Sequence, residues 1–267
     1  MFRKEFVDLV NHSNWRDKFI GYGNPDADIL IIGQEVAHDE ESGNQEAAHN
    51  EEQDDCTKFY TKNQWQWQET IEHNYLPQTE WQYPYKFPKF VPSFPFKTQK
   101  STIKRGCGNS GATYYWYQRL HDQIYPEAKD PNGNINFFER IFITELNDKP
   151  RKNHRVKQEN VESQIAKRFD IMRETKPFWS HFKVVLFLCG SYSEAIDVDS
   201  AREILATNPG DESASKKASE KIELFESIFG QAIPFYGPQF SGRDRHHIHP
   251  KAWIEKYAGD VRKALPK

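Results

Sequence analysis

The sequence predicts an α/β fold: a three-layer α/β/α arrangement around a mostly parallel, four-stranded central sheet. Two observations predict it. Four short runs, ADILIIG (27–33), FFERIFIT (137–144), FKVVLFLCG (182–190) and AIPFYG (232–237), are nearly continuous in apolar residues. Such runs belong to strands buried on both faces. Segments with apolar residues at helical spacing lie between and around them, and strands alternating with helices make a sheet covered on both sides. The 267 residues are read as one domain spanning 1–267, because single cores stop growing near ~250–300 residues. Mean hydropathy is low, −0.87, but 14% of the chain is aromatic, so a core is built largely from rings.

The elements follow in order. Phe2, Phe6, Leu9 and Val10 share one helical stripe. GYGNPDA (21–27) is turn chemistry before the first strand. Residues 35–55 hold nine acidic side chains and no Lys or Arg, so the rest of the chain carries +6 although the whole carries −3. With almost no large apolar residue, this stretch reads as a surface loop. Residues 59–96 hold twelve aromatics, and five prolines run from Pro77 to Pro95. The prolines disfavour helix and central strand, which predicts an extended insertion held to the body by its own rings. Helices are predicted over 113–125 (Tyr117, Leu120, Ile124 on one side) and 157–174 (Val161, Ile165, Phe169, Met172). Others run from Tyr192, from about Ser215 to Phe229, and from Pro250 on Trp253, Ile254, Tyr257 and Val261.

Composition excludes some classes. No apolar run reaches the ~18 residues of a membrane span. MFRKEFVDLV is too polar for a signal peptide. Cys56, Cys107 and Cys189 are odd in number and far apart, which fits no disulfide framework and predicts a reduced, cytoplasmic setting.

In open parallel sheets ligands bind outside the carboxyl ends of the strands. The informative segments are therefore GQEVA (33–37), TELNDKPRK (144–152), CGSYSEA (189–195) and YGPQFSGRDRHHIHP (236–250). Residues 149–157 hold five basic side chains and no acidic one. Such a run suits phosphate contact, and equally a solvated loop.

These blocks together resemble the uracil-DNA glycosylase superfamily. GYGNPDADILIIGQEVA is similar to that family's opening: a Gly-Asn-Pro turn, a buried strand, and a Gly-led motif in which Gly33-Gln34-Glu35-Val36-Ala37 stands for Gly-Gln-Asp-Pro-Tyr. RIFITELNDKPRK resembles the second strand, which usually ends Thr-Asn and leads to Lys, Pro and Arg. FKVVLFLCGSYSEAI resembles the third, ending in Gly, a small residue and a helix. AIPFYGPQF resembles the fourth, which normally ends His-Pro-Ser. The likeness covers about a quarter of the chain. It departs at Glu145, where the family most often has Asn for the base, at Gly237-Pro238-Gln239, where it has His-Pro-Ser, and at Val36-Ala37. Three cysteines cannot supply the four-cysteine iron–sulfur cluster of some branches, so no cluster, metal or other cofactor is expected.

The resemblance implies hydrolysis of the N-glycosidic bond of a base flipped out of DNA. The sugar passes through an oxocarbenium-like state, so a water must be positioned and both developing charges stabilised. Glu35 is the expected catalytic carboxylate; otherwise it merely begins the acidic loop. His246 and His249, with His247 between them, are expected to donate to the leaving base in place of the missing His. A metal site and a plain loop are the alternatives for them. Gly33, Gln34, Ala37, Glu145, Asn147, Gly237 and Gln239 are expected to contact the base. An ionised Glu145 only accepts hydrogen bonds, so at a base-reading position it favours an exocyclic amine over a carbonyl and makes uracil a poor substrate. Lys149, Arg151, Lys152 and Arg155 are expected on phosphates. Gly190-Ser191 opening a helix, and Arg243 and Arg245, complete the DNA contacts.

Three functions fit these residues: a DNA glycosylase-like hydrolase; a relative without chemistry that binds nucleic acid or a nucleotide; and an interaction module using the aromatic insertion and acidic loop. The substitutions at Glu145 and Gly237 divide the first from the second.

Overall fold

The computed structural model describes residues 2–33, 56–74, 92–93, 100–101, 105–106, 109–147, 160–207, 210–238, 240 and 249–266. Its strands are β1 (Tyr22–Gly23), β2 (Ile29–Gly33), β3 (Arg105–Gly106), β4 (Asn109–Ser110), β5 (Ile141–Glu145), β6 (Val184–Phe187) and β7 (Ile233–Tyr236). Its helices are α1 (Lys4–Asn11), α2 (Cys56–Glu72), α3 (Gly111–Ile124), α4 (Val161–Glu174), α5 (Lys176–Trp179), α6 (Val198–Thr207), α7 (Glu212–Phe229) and α8 (Pro250–Ala264).

The four expected strands are β2, β5, β6 and β7, and they run parallel. The sheet has a fifth member, giving the order β1-β5-β2-β6-β7, while β3 and β4 pair separately. β1 is an antiparallel edge on β5, formed inside the GYGNPDA turn. Glycine makes this possible: Gly21 and Gly23 have φ of +144° and +98°, and a Cβ there would lie 2.4 Å from Ile143 O and 2.2 Å from Ile141 O.

Alternation along the strands builds two cores. Leu30, Ile32, Phe142, Val185 and Phe187 face α1, α2, α4, α5 and α7. Ile29, Ile31, Ile141, Ile143, Val184 and Leu186 face α3 and α8. The three layers are thus as the sequence predicts. The first core is ring-rich: Phe6 lies edge-on to Trp67 at 4.7 Å, and Phe142 stacks on Phe182 at 6.1 Å.

The start of the expected extended insertion differs. Its proline-free part belongs to α2, which is integral to the body. Asn63 is fully buried; its side-chain oxygen accepts from Ile20 N at 2.9 Å and Gly21 N at 3.1 Å, and its nitrogen donates to Gly21 O at 3.1 Å. Trp67 Nε1 donates to the same carbonyl at 2.8 Å. The prolines begin only at Pro77, beyond the helix; Pro92 O accepts from Gly23 N at 2.6 Å.

β7 is the other edge. Ile233 N donates to Lys183 O, just before β6, and Gly237 N to Phe187 O at its end, so alternation points the position of Pro234 outward. A residue without an N–H there costs no ladder bond and blunts an open edge.

Candidate strand-end site

Three backbone hydrogen bonds run past the strands and align their ends. Leu146 N donates to Gly33 O, Leu188 N to Ile32 O, and Gly237 N to Phe187 O, each at 2.9 Å. Gly33 pairs with Glu145 in the ladder. Glu145, Gly33, Leu188 and Gly237 therefore form one row across the carboxyl edge. From β2 the chain leads to β5 on one side, and from β6 to β7 on the other. Diverging connections from neighbouring strands leave a crevice between them, where ligands settle in such sheets. Gly33 is at that point.

Alternation puts the Gly33 and Glu145 side-chain positions on the α3 face, with Ile31 and Ile143. A Cβ on Gly33 would meet the Tyr117 hydroxyl at 3.6 Å and Glu145 Cγ at 3.7 Å. Tyr117 is 4% exposed and Glu145 8%. Burial first, then the charge of Glu145, holds the Tyr117 phenol well above its ordinary pKa. Burial likewise raises Tyr22, helped by neighbouring Tyr114, Tyr117 and Glu145. Both phenols are uncharged donors at neutral pH. The strand end thus sets a neutral phenol and a carboxyl group around the buried, side-chain-free Gly33.

On the opposite face, Thr144 Oγ1 donates to Ile20 O at 2.8 Å and accepts from Arg168 at 2.9 Å. The Arg168 guanidinium also donates to Phe19 O at 2.5 Å and lies over the Trp15 ring at 4.3 Å. This buried arginine ties the segment before β1 to the end of β5.

The other expected site residues fare differently. Asn147 is buried, 1% exposed, two residues past β5. Gly190 has φ +58° and opens a 3-10 turn, 190–196, in place of the expected α-helix. Ser193 Oγ donates to Gly190 O at 2.8 Å, and α6 begins only after Asp197, whose carboxylate caps Ser200 N at 3.0 Å. A short 3-10 turn offers a phosphate at Gly190-Ser191 a weaker dipole than an α-helix would.

Gly237 is in the row, but a Cβ there would lie 2.7 Å from Trp253 and 2.8 Å from Leu188. The Trp253 indole, donating to Tyr236 O at 2.8 Å, fills the place a side chain would need. Gly237 stands three strands from Glu145, roughly 14 Å at the usual strand spacing, so a base seated at Gly33 reaches Glu145 and not Gly237. His249 caps α8: its Nδ1 accepts from Lys251 N at 3.2 Å, and its ring meets Trp116 edge-on at 5.1 Å.

Gln34, Glu35, Ala37, Lys149, Arg151, Lys152, Arg155, Gln239, Arg243, Arg245, His246 and His247, with the acidic loop 35–55, lie outside the described residues. Among the described residues no cluster of His, Cys, Asp or Glu is arranged to hold a metal, and no helix is long and apolar enough to cross a membrane. Comparisons with protein-family models, curated proteins and solved structures found no match.

Sequence reasoning read Tyr117 only as part of a helical stripe and overlooked Tyr22. Helical spacing identifies the face a tyrosine joins. It does not reveal that its hydroxyl ends beside a strand-end glycine. The only available signal was the density of phenols in TYYWY, which ends on the first residue of that stripe.

Proposed function

We propose that the protein is a DNA glycosylase-like hydrolase that cleaves the N-glycosidic bond of a damaged base flipped from DNA. One observation carries this reading: Gly33, which has no side chain, lies at the crevice point of a parallel sheet, with the buried Glu145 and Tyr117 beside it. A flat heterocycle needs such close approach to backbone, and glycine permits it. The resemblance of the strand-end segments to the uracil-DNA glycosylase superfamily supports the same reading.

In this reaction the C1′–N bond breaks with its electron pair leaving on the base. Water bonds to C1′, and Glu35 takes the water's proton. Glu35 follows Gly33 by two residues in sequence and lies outside the described residues.

A second reading, a relative that binds nucleic acid or nucleotide without cleaving, is favoured by one observation: Trp253 covers Gly237, where the family's leaving-group His would stand. Oligonucleotides carrying uracil, hypoxanthine, xanthine, mismatched thymine, oxidised cytosine or alkylated adenine, treated with alkali after incubation, separate the two. The hydrolase cuts at least one lesion, and Glu35→Gln lowers that rate about 100-fold or more. Intact strands throughout the panel leave only the second reading.

A further inference from the structure

The rings of Phe225 and Phe229 in α7 pack on Phe187, the last residue of β6, at 6.3 and 5.9 Å. After Phe229 the chain turns into β7 at the amino end of the sheet: Ala232 N donates to Phe229 O, and Ile233 N to Lys183 O. α7 therefore runs from the carboxyl side of the sheet toward the amino side. At 1.5 Å per residue, Lys217 stands about 12 Å further out along the axis than Phe225. α6 also starts at the carboxyl edge, where Val198 N donates to the Tyr236 hydroxyl at 2.9 Å. The α6–α7 pair thus projects past the carboxyl ends of the strands, the end of the molecule that holds Gly33.

A cleft of about 380 Å³ lies between these two helices, a size that suits a small ligand or one unit of a larger one. Ile204, Ala214 and the buried Ala218 give it an apolar floor, and Lys217 and Lys221 line it as well. One acid, Asp211, is beside them, and its carboxylate is used at the helix end, where Oδ1 accepts from Ala214 N at 3.0 Å. Lysines on other helices pair with an acid three or four residues away: Lys4 with Asp8, Lys251 with Glu255, Lys263 with Asp260. Lys217 and Lys221 make no ion pair among the described residues. They stand four residues apart, a like-charged spacing that weakens a helix unless an anion lies between them.

We propose that this cleft holds one nucleotide of the DNA strand beside the flipped base, with Lys217 and Lys221 on its phosphate and its sugar over Ile204, Ala214 and Ala218. This rests on the proposed function and gives it a strand contact on a helix pair that carries none of the expected site residues. Phosphate contacts hold the strand without reading its sequence, so the contact serves damaged and undamaged strands alike.

The test is binding of a fluorescein-labelled single-stranded oligonucleotide, followed by anisotropy across a salt series. The double variant Lys217→Gln, Lys221→Gln is expected to bind about tenfold more weakly at low salt. Its plot of log affinity against log salt is shallower by about 0.7 or more, the share of one phosphate or more on a single strand. Ala214→Leu keeps both charges, fills the cleft and weakens binding to a similar degree. Lys216→Gln, on an exposed neighbour outside the cleft, leaves affinity unchanged. The unfolding midpoint of each variant stays close to that of the wild type, because these positions are at the surface. Absence of binding, an unchanged slope in the double variant, or an equal loss from Lys216→Gln overturns the inference. So does a chain that binds poly-glutamate and not the oligonucleotide. Cleavage of a lesion with full affinity kept in the double variant upholds the hydrolase and overturns the cleft. A shallower slope with no lesion cut upholds the cleft and overturns the hydrolase.

Discussion

Gln118 and Tyr117 are neighbours in α3, yet they serve opposite ends of the sheet. Gln118 is saturated. Its side-chain oxygen accepts from Asn136 N at 2.8 Å and Phe137 N at 3.0 Å, and its nitrogen donates to Asp122 at 2.7 Å and Asn136 at 2.8 Å. It pins the segment that enters β5. Other groups at the amino ends behave alike: Asp28 O accepts from Lys183 N and Val184 N, and Asn24 Nδ2 donates to Glu139 O at 2.9 Å. The Tyr117 hydroxyl, at the carboxyl ends, is spent on nothing among the described residues. The amino ends are tied by side chains to the segments that enter the strands, whereas the Tyr117 phenol at the carboxyl ends ties no such segment.

The contrast can be broken at several points. The largest effect is expected at Gly237. Replacing it with His, the family's residue, forces a side chain into Trp253 and Leu188 and destabilises by at least about 1–3 kcal/mol, read from the denaturant midpoint. An unchanged midpoint shows that Trp253 is not what excludes a side chain there. Gly33→Ala, by comparison, shifts stability by less than about 1 kcal/mol, because its contacts are ordinary. A loss as large as that at Gly237 makes Gly33 a packing residue and removes the reason to call it a site.

The smallest effect concerns Asp122 at the saturated end. Burial alone would raise its carboxyl pKa, but hydrogen bonds from His121 and Gln118 outweigh it and hold the group below the usual carboxylate value. A depressed folded pKa adds stability above the unfolded value, near 3.9, and that stability fades as pH falls through the folded one. Asp122→Asn therefore flattens the pH dependence of unfolding below about pH 4. An identical slope in the variant contradicts the assignment.

Much of the fold was legible because apolar runs and helical spacing are local signals: β2, β5, β6, β7 and the faces of α3, α4 and α8 follow from them directly. β1 was hidden because two glycines make a strand only through contact with β5. The helix over 56–72 was obscured by prolines that begin after it ends, and its decisive residue, Asn63, is polar and holds a backbone more than forty residues away. At the site, the row through Gly33, Glu145 and Gly237 follows from the rule that strand ends gather. The covering of Gly237 by Trp253 does not, because it depends on how α8 packs against β7.

The most direct test is the map of backbone amide shifts when a short single-stranded oligonucleotide carrying a damaged base is added. The account predicts changes concentrated at Gly33, Glu145, Leu146 and Leu188 to Gly190. Changes gathered at Asn24 to Asp28, Arg140 and Lys183 instead, at the opposite ends of the same strands, would contradict it.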